Sequence, residues 1–174
     1  GEVVTVMAPN IPEMFEAHFG VAMAGAVLNT LNTRLDTDTI AYILDHADTR
    51  LLITDAAFGE AMKTALAQTE NKKIKIIDII DEQASESASG LRLGEQDYES
   101  FLNGADPEFK WQMPADEWQA MCLNYTSGTS GRPKGVVYHH RGAYLMAMGT
   151  IPVWNMPMHP TYLYVVPLFH CNGW

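Results

Sequence analysis

Short continuous apolar runs alternate along this chain with stretches whose apolar residues recur every three or four positions. That alternation restricts the chain to βαβ units and a parallel sheet covered by helices, because the two periodicities cannot be exchanged. Val3 to Met7 reads as a buried strand. Asn10 stands three residues before Glu13, a capping pattern, with Pro12 in the first turn. Ile11, Phe15 and Phe19 follow at helical spacing, so a helix is expected to about Ala24, with a short strand over 25–28. Asp36 is placed to cap a second helix carrying Ile40, Ile43, Leu44 and Ala47 on one face. A strand over 50–54 follows. Asp55 opens a third helix with Phe58, Met62 and Leu66 in a stripe, and a strand is expected over 74–80. The strands are unbroken apolar runs, as expected where helices cover both faces of the sheet.

Residues 81–96 change character, rich in serine and acid, and read as a surface excursion. A short helix is expected over 97–103 and an irregular connector over 111–118. A strand over 120–125 leads into a glycine-rich stretch, and 136–138 is strand-like again. A helix then runs from about His140 to Gly149, and 162–166 reads as a last strand.

The sequence has 174 residues, 47% hydrophobic and 18% charged, enough for one domain or one lobe of a larger one. Its formal charge of -10, from 11 basic and 21 acidic residues, argues against a duplex-binding surface, and no nucleic-acid partner is expected. Two cysteines, Cys122 and Cys171, make no disulfide framework and fit a reducing cytoplasm. No apolar run is long enough to span a bilayer. Neither end resembles a natural domain edge, so a piece of a longer protein is expected, and nothing in the sequence states an oligomeric state.

The stretch between the strands at 120–125 and 136–138 carries the chemistry. Thr126, Ser127, Gly128, Thr129, Ser130, Gly131, Arg132, Pro133 and Lys134 supply four hydroxyls, two glycines and a lysine within nine positions. Glycines allow φ > 0 and close approach, and successive N–H groups form an anion-binding concavity. Hydroxyls donate to phosphate oxygens and lysine adds a mobile charge. In an acidic chain such a local cation gains weight. The Walker A pattern fits poorly: Pro133 stands where its second glycine belongs, Gly135 replaces the magnesium-binding hydroxyl, and Gly135-Val136-Val137 favours a strand over a helix. A serine nucleophile lacks G-x-S-x-G, and no serine lies three residues before Lys134. A plain flexible turn rarely carries Pro-Lys-Gly in this register. His139-His140 with His170 and Cys171 shows no zinc-type spacing, so a helix start is the better account of the pair. Arg141 has no assigned role, and Cys171 reads as structural.

Tyr125 to Gly135 resembles the phosphate-binding signature of the adenylate-forming superfamily, T-S-G-[ST]-T-G-x-P-K-G, with Ser130 where threonine is commoner. That superfamily comprises acyl-CoA synthetases, firefly luciferases and peptide-synthetase adenylation domains. The run from Val166 to Trp174 resembles its next core motif, a strand followed by Pro-x-Phe-His, and the Cys171-Asn172-Gly173-Trp174 ending is similar to the short- and medium-chain fatty acyl-CoA ligases and related acyl-activating enzymes. Ala8 to Glu13, Ala24 to Asn29 and Asp116 to Trp118 look like the same branch.

The resemblance implies part of the large N-terminal domain of an acyl-CoA synthetase-like fold, spanning 1–174 with 81–96 as the excursion. It implies ATP, Mg²⁺ and coenzyme A alongside a short- or medium-chain carboxylic acid: the acid is joined to AMP, then passed to the thiol. The nine residues Thr126 to Lys134 would hold the β- and γ-phosphates, and His170, Gly173 and Trp174 would border the acyl pocket. For His170 simple packing, and for Trp174 a place in the core, stay open. No catalytic residue is assigned within the chain. The family's adenine-binding Y-G-x-T-E segment, its ribose-binding T-G-D segment and its small C-terminal domain are not found, so the chain by itself is expected to be inactive. A non-catalytic nucleotide-binding or interaction module is the alternative.

Overall fold

The computed structural model describes residues 1–81, 90–126 and 131–170. Seven strands form one sheet: β1 (Val3–Met7), β2 (Val27–Thr30), β3 (Thr49–Asp55), β4 (Lys75–Ile79), β5 (Gln96–Asp97), β6 (Ala120–Thr126) and β7 (Lys134–His139). Their order is β5-β4-β3-β1-β2-β6-β7, and every neighbouring pair is parallel except β6 with β7. The expected largely parallel α/β fold is present.

Two apolar layers sandwich the sheet. On one side, Met14, Ala17 and Val21 of α1 (Pro12–Met23) and Tyr98 of α4 (Tyr98–Asn103) pack with Val6, Leu28, Ile53, Ile77 and Cys122. On the other, Ile40, Ala41, Ile43 and Leu44 of α2 (Thr37–His46) meet Met62 and Ala65 of α3 (Gly59–Gln68), with Met7, Leu31 and Leu52 between. Burying one such large apolar side chain contributes about 1.5–3 kcal/mol. Through the middle runs a polar seam. The Thr5 and Thr49 hydroxyls lie 2.7 Å apart and Asn29 Nδ2 donates to Thr5 Oγ1 at 3.0 Å, so β1, β2 and β3 are cross-linked by buried side chains.

The helix signals in the sequence are mostly realised. Asp36 Oδ1 accepts from Thr39 N at 2.9 Å, and Asp97 Oδ1 accepts from Ser100 N at 2.8 Å. Asp55 caps a short 3₁₀ turn, Ala56–Phe58, which feeds α3. The strand expected over 25–28 begins two residues later, because Gly25 and Ala26 form the turn that leaves α1.

Two expectations are corrected, the cap at Asn10 and the strand over 162–166. Asn10 does not cap α1: Ile11 occupies the N-cap position without a side-chain hydrogen bond, and the Asn10 amide is engaged elsewhere. The Phe15 and Phe19 stripe faces outward, at 56% and 48% exposure, and the buried stripe is offset by one residue to Met14, Ala17 and Val21. The last part of the excursion is packed against the body of the fold. Leu93 N and Gly94 N donate to buried Asp78, and Gly90, at φ 74°, lies where a Cβ would overlap the Ala56 carbonyl oxygen. Residues 82–89 lie outside the described residues.

Finally, 162–166 forms no strand. It has strand-like composition, but no neighbouring strand pairs with it among the described residues, and Leu163 and Val165 are about four-fifths exposed, at 83% and 78%. The helix before it, α5 (His140–Val153), is longer than expected and carries Pro152. None of its residues is buried, although Tyr144, Leu145, Met146, Met148 and Ile151 are apolar.

Candidate active site

In open α/β sheets, ligands gather at the carboxyl ends of the strands. Three features meet that description here. β6 ends at Thr126, β2 ends at Thr30, and the turn after β1 carries Asn10.

β6 and β7 form an antiparallel pair whose last register partners are Thr126 and Lys134. The glycine-rich segment is therefore the connection of a hairpin, as the Gly135-Val136-Val137 sequence implies. Thr126 and Lys134 are exposed and face each other across its base. Ser127, Gly128, Thr129 and Ser130 lie outside the described residues. Gly131 adopts φ 121°, a conformation that side-chain-bearing residues rarely take. The Arg132 guanidinium lies over the Tyr42 ring, 5.1 Å from its centroid.

The hydroxyl of Tyr125, one residue before Thr126, lies 2.7 Å from His46 Nδ1. The two rings meet edge to face, with centroids 5.7 Å apart. Burial, with a smaller contribution from Tyr42, pushes the Tyr125 phenol up to about 12. Its hydroxyl is therefore intact across the ordinary pH range.

The second candidate segment is docked onto the sheet by backbone capture. Asn10 Nδ2 donates to Val166 O at 3.0 Å, and Asn10 Oδ1 accepts from Leu168 N at 2.8 Å. Thr30 Oγ1 donates to Phe169 O at 2.9 Å. Leu168 is buried in the α1 layer and Phe169 packs against it. His170 follows, exposed, with its N–H on Pro167 O at 3.0 Å in a turn. Gly173, Trp174 and Cys171 lie outside the described residues.

His139 caps α5, its Nδ1 accepting from Gly142 N at 2.9 Å, so its neutral ring carries the proton on Nε2. Arg141 pairs with Glu117 and lies over Trp118, 5.8 Å from the ring centroid, at the surface. No group of three His, Cys, Asp or Glu side chains converges on a metal position among the described residues.

Asn10, Thr30, Tyr42 and His46 were not legible as site residues. Each acts through a partner 79 to 158 residues away, or through a ring contact, and no spacing rule reports such contacts.

Comparison with known proteins places this architecture among the AMP-binding enzymes. The family model described as AMP-binding enzyme matches residues 1–174. An acetate/butyrate–CoA ligase of Arabidopsis thaliana, named as peroxisomal, is 46% identical across 100% of this chain and 32% of its own length. An acetate–CoA ligase of Humulus lupulus is 45% identical, with the same coverage. A peroxisomal trans-cinnamate:CoA ligase of Petunia hybrida is 44% identical over 99% of this chain and 32% of its own. Among solved structures, a long-chain-fatty-acid-CoA ligase from Archaeoglobus fulgidus superposes with a TM-score of 0.80 at 20% identity, covering 99% of this chain and 32% of that one. The chain belongs to the AMP-binding enzyme family. It spans about a third of the length of these curated relatives, 32% in each.

Proposed function

We propose that the protein to which this chain belongs is an acyl-CoA synthetase, an AMP-forming carboxylate–CoA ligase that activates a short- or medium-chain acid. The observation that carries the reading is the hairpin with Thr126 facing Lys134 across its base at the carboxyl edge of the sheet. The docked segment ending in His170 is a second element at that edge.

In the first step a carboxylate oxygen attacks the α-phosphorus of ATP. The bond to the bridging oxygen breaks, and pyrophosphate leaves with its electron pair. In the second, the coenzyme A thiol loses its proton and attacks the acyl carbon, and AMP leaves. The first step brings an anion to a polyanion, so catalysis must offset repulsion and fix the approach. Thr126, Ser127, Thr129 and Ser130 donate hydroxyls to the β- and γ-phosphates, the glycine backbone approaches them closely, and Lys134 supplies a point charge. Mg²⁺ would enter with ATP and offset the charge of its phosphates, with the hydroxyls of Thr126, Ser127, Thr129 and Ser130 beside it. His170 borders the acid, with Gly173 and Trp174 forming pocket wall.

The region 1–174 is proposed to be part of a large N-terminal domain, inactive when isolated. The uncovered apolar residues of α5 support this, since a face of that kind is normally packed. No helix among the described residues is long and apolar enough to cross a membrane. A cytoplasmic location is proposed, to be tested by fractionation against peroxisomes, because relatives carry that name.

The test is thioester formation by the full-length protein, given ATP, Mg²⁺, coenzyme A and a panel of straight-chain and aromatic acids. Acid-dependent acyl-CoA and AMP in equal amounts are expected. ATP binding without product from any acid would favour a non-catalytic nucleotide-binding module.

A further inference from the structure

α2 is a rigid platform. Asp36 caps it, and Ile40, Ala41, Ile43 and Leu44 bury one face. Near its far end, Asp45 accepts from the Thr69 hydroxyl, Glu70 N and Asn71 N, which ties the helix to the segment leading into β4. Its other face carries Tyr42 and His46, one helical turn apart, with ring centroids 5.3 Å from each other.

These two rings meet the two stems of the glycine-rich connection. His46 holds Tyr125, which enters it, and Tyr42 lies under Arg132, which leaves it. Between α2 and residues 131–133 lies an open groove of about 870 Å³, lined also by Asp38, Asp45 and Glu70. The Arg132–Tyr42 contact borders this groove, while Tyr42 and Tyr125 also pack against the apolar layer under α2.

Binding a phosphate fixes the backbone that surrounds it, at a cost in entropy. Fixing both stems lowers the entropy lost at that moment. We propose that Tyr42 and His46 are positioning residues for the phosphate loop, tethering its stems to α2 through Arg132 and Tyr125, and that Arg132 serves as an anchor while Lys134 faces the phosphates. This inference rests on the reading of Thr126 to Lys134 as the phosphate site. The guanidinium then lies on an aromatic ring at a groove that Asp38, Asp45 and Glu70 also line, and the exposed Lys134 ammonium at the hairpin base is left for the ligand.

The experiment measures equilibrium binding of Mg-ATP and of AMP to the full-length protein. Tyr42→Leu is expected to weaken ATP about two- to fivefold, the range of an exposed cation–π contact. Tyr42→Phe, which keeps the ring, is expected to bind as wild type. Tyr42→Leu combined with His46→Ala is expected to weaken ATP more than either substitution alone, without simple addition, because the two rings are in contact. Arg132→Ala in the Tyr42→Leu background is expected to add nothing further. AMP lacks the β- and γ-phosphates, so its affinity is expected to stay unchanged in every tether variant, which a merely unfolded or distorted protein would not show. Equal loss of ATP and AMP affinity overturns the tether. So does wild-type ATP affinity in the double variant while Lys134→Ala weakens ATP, an outcome that leaves the phosphate-loop reading standing. Unchanged ATP affinity in Lys134→Ala removes that reading and the tether with it.

Discussion

Asn10 binds Leu168 through its backbone: the side-chain carbonyl accepts the Leu168 N–H at 2.8 Å while the amide of the same side chain donates to Val166 O at 3.0 Å. One short side chain in the turn after β1 thus satisfies two backbone groups of a segment 156 to 158 residues later. Few residue types can do this, because both a donor and an acceptor are needed on one planar group.

Asn10→Ala is therefore expected to cost about 1–3 kcal/mol, with the backbone groups it served left to water or unmade. Asn10→Asp is expected to cost nearly as much, since the carboxylate has no donor for Val166 O. Thermal unfolding of the three proteins checks this. If His170 borders the acid, Asn10→Ala also raises KM for the carboxylate more than KM for ATP, and equal rises would separate Asn10 from the acyl pocket.

Much of the architecture was readable in advance, for a physical reason. Strand runs such as 50–54, and helices opened by Asp36, Asp55 and Asp97, carry their signals within a few residues, and the structure uses those same caps. The hairpin was legible because Gly135-Val136-Val137 favours a strand over a helix after Lys134. The errors have one origin, in contacts made at long range. Asn10 followed by Glu13 has the local form of a cap, yet the stronger demand on its amide comes from Val166 and Leu168. Phe15 and Phe19 mark α1 by their helical spacing, but spacing alone does not choose the face on the sheet, which is Met14, Ala17 and Val21. Residues 162–166 have strand composition, but strands exist only in pairs.

Asp45 gives an acid-stability signature. Burial pushes its carboxyl up, but the hydrogen bonds from Thr69, Glu70 N and Asn71 N, with Lys72 nearby, outweigh that and hold it below the ordinary aspartate value. A depressed carboxyl contributes stability above its unfolded value, and the contribution is lost as pH falls through the folded one. Asp45→Asn is expected to destabilise the protein near neutral pH, with the difference from wild type closing as pH falls through the folded carboxyl's range. Urea unfolding at a series of pH values measures it, and a constant difference would contradict the assignment.

At the alkaline end Tyr125 behaves in the opposite sense. Its phenol is pushed up to about 12 by burial and by Tyr42, so its contribution is full below the ordinary value of 10.0 and declines as pH rises towards the folded value. Tyr125→Phe is expected to lose stability at neutral pH, with the His46 hydrogen bond, and to lose less than wild type on going to high pH. Melting temperatures across that range decide it.

The apolar side of α5 predicts the behaviour of residues 1–174 in isolation. With Tyr144, Leu145, Met146, Met148 and Ile151 uncovered, the isolated chain is expected to bind a hydrophobic dye strongly and to self-associate. Replacing Leu145, Met148 and Ile151 by polar residues is expected to abolish both without lowering the melting temperature. A destabilised triple variant would show instead that α5 is packed.

The most direct test of the central claim is carboxylate-dependent pyrophosphate release by the full-length protein, comparing wild type with Lys134→Ala. The account predicts release that requires the acid and falls by about two orders of magnitude or more in the variant, the scale on which loss of a preorganised charge acts on a developing anion. Release that is unchanged by the substitution would contradict the role of Lys134 and of the hairpin that presents it.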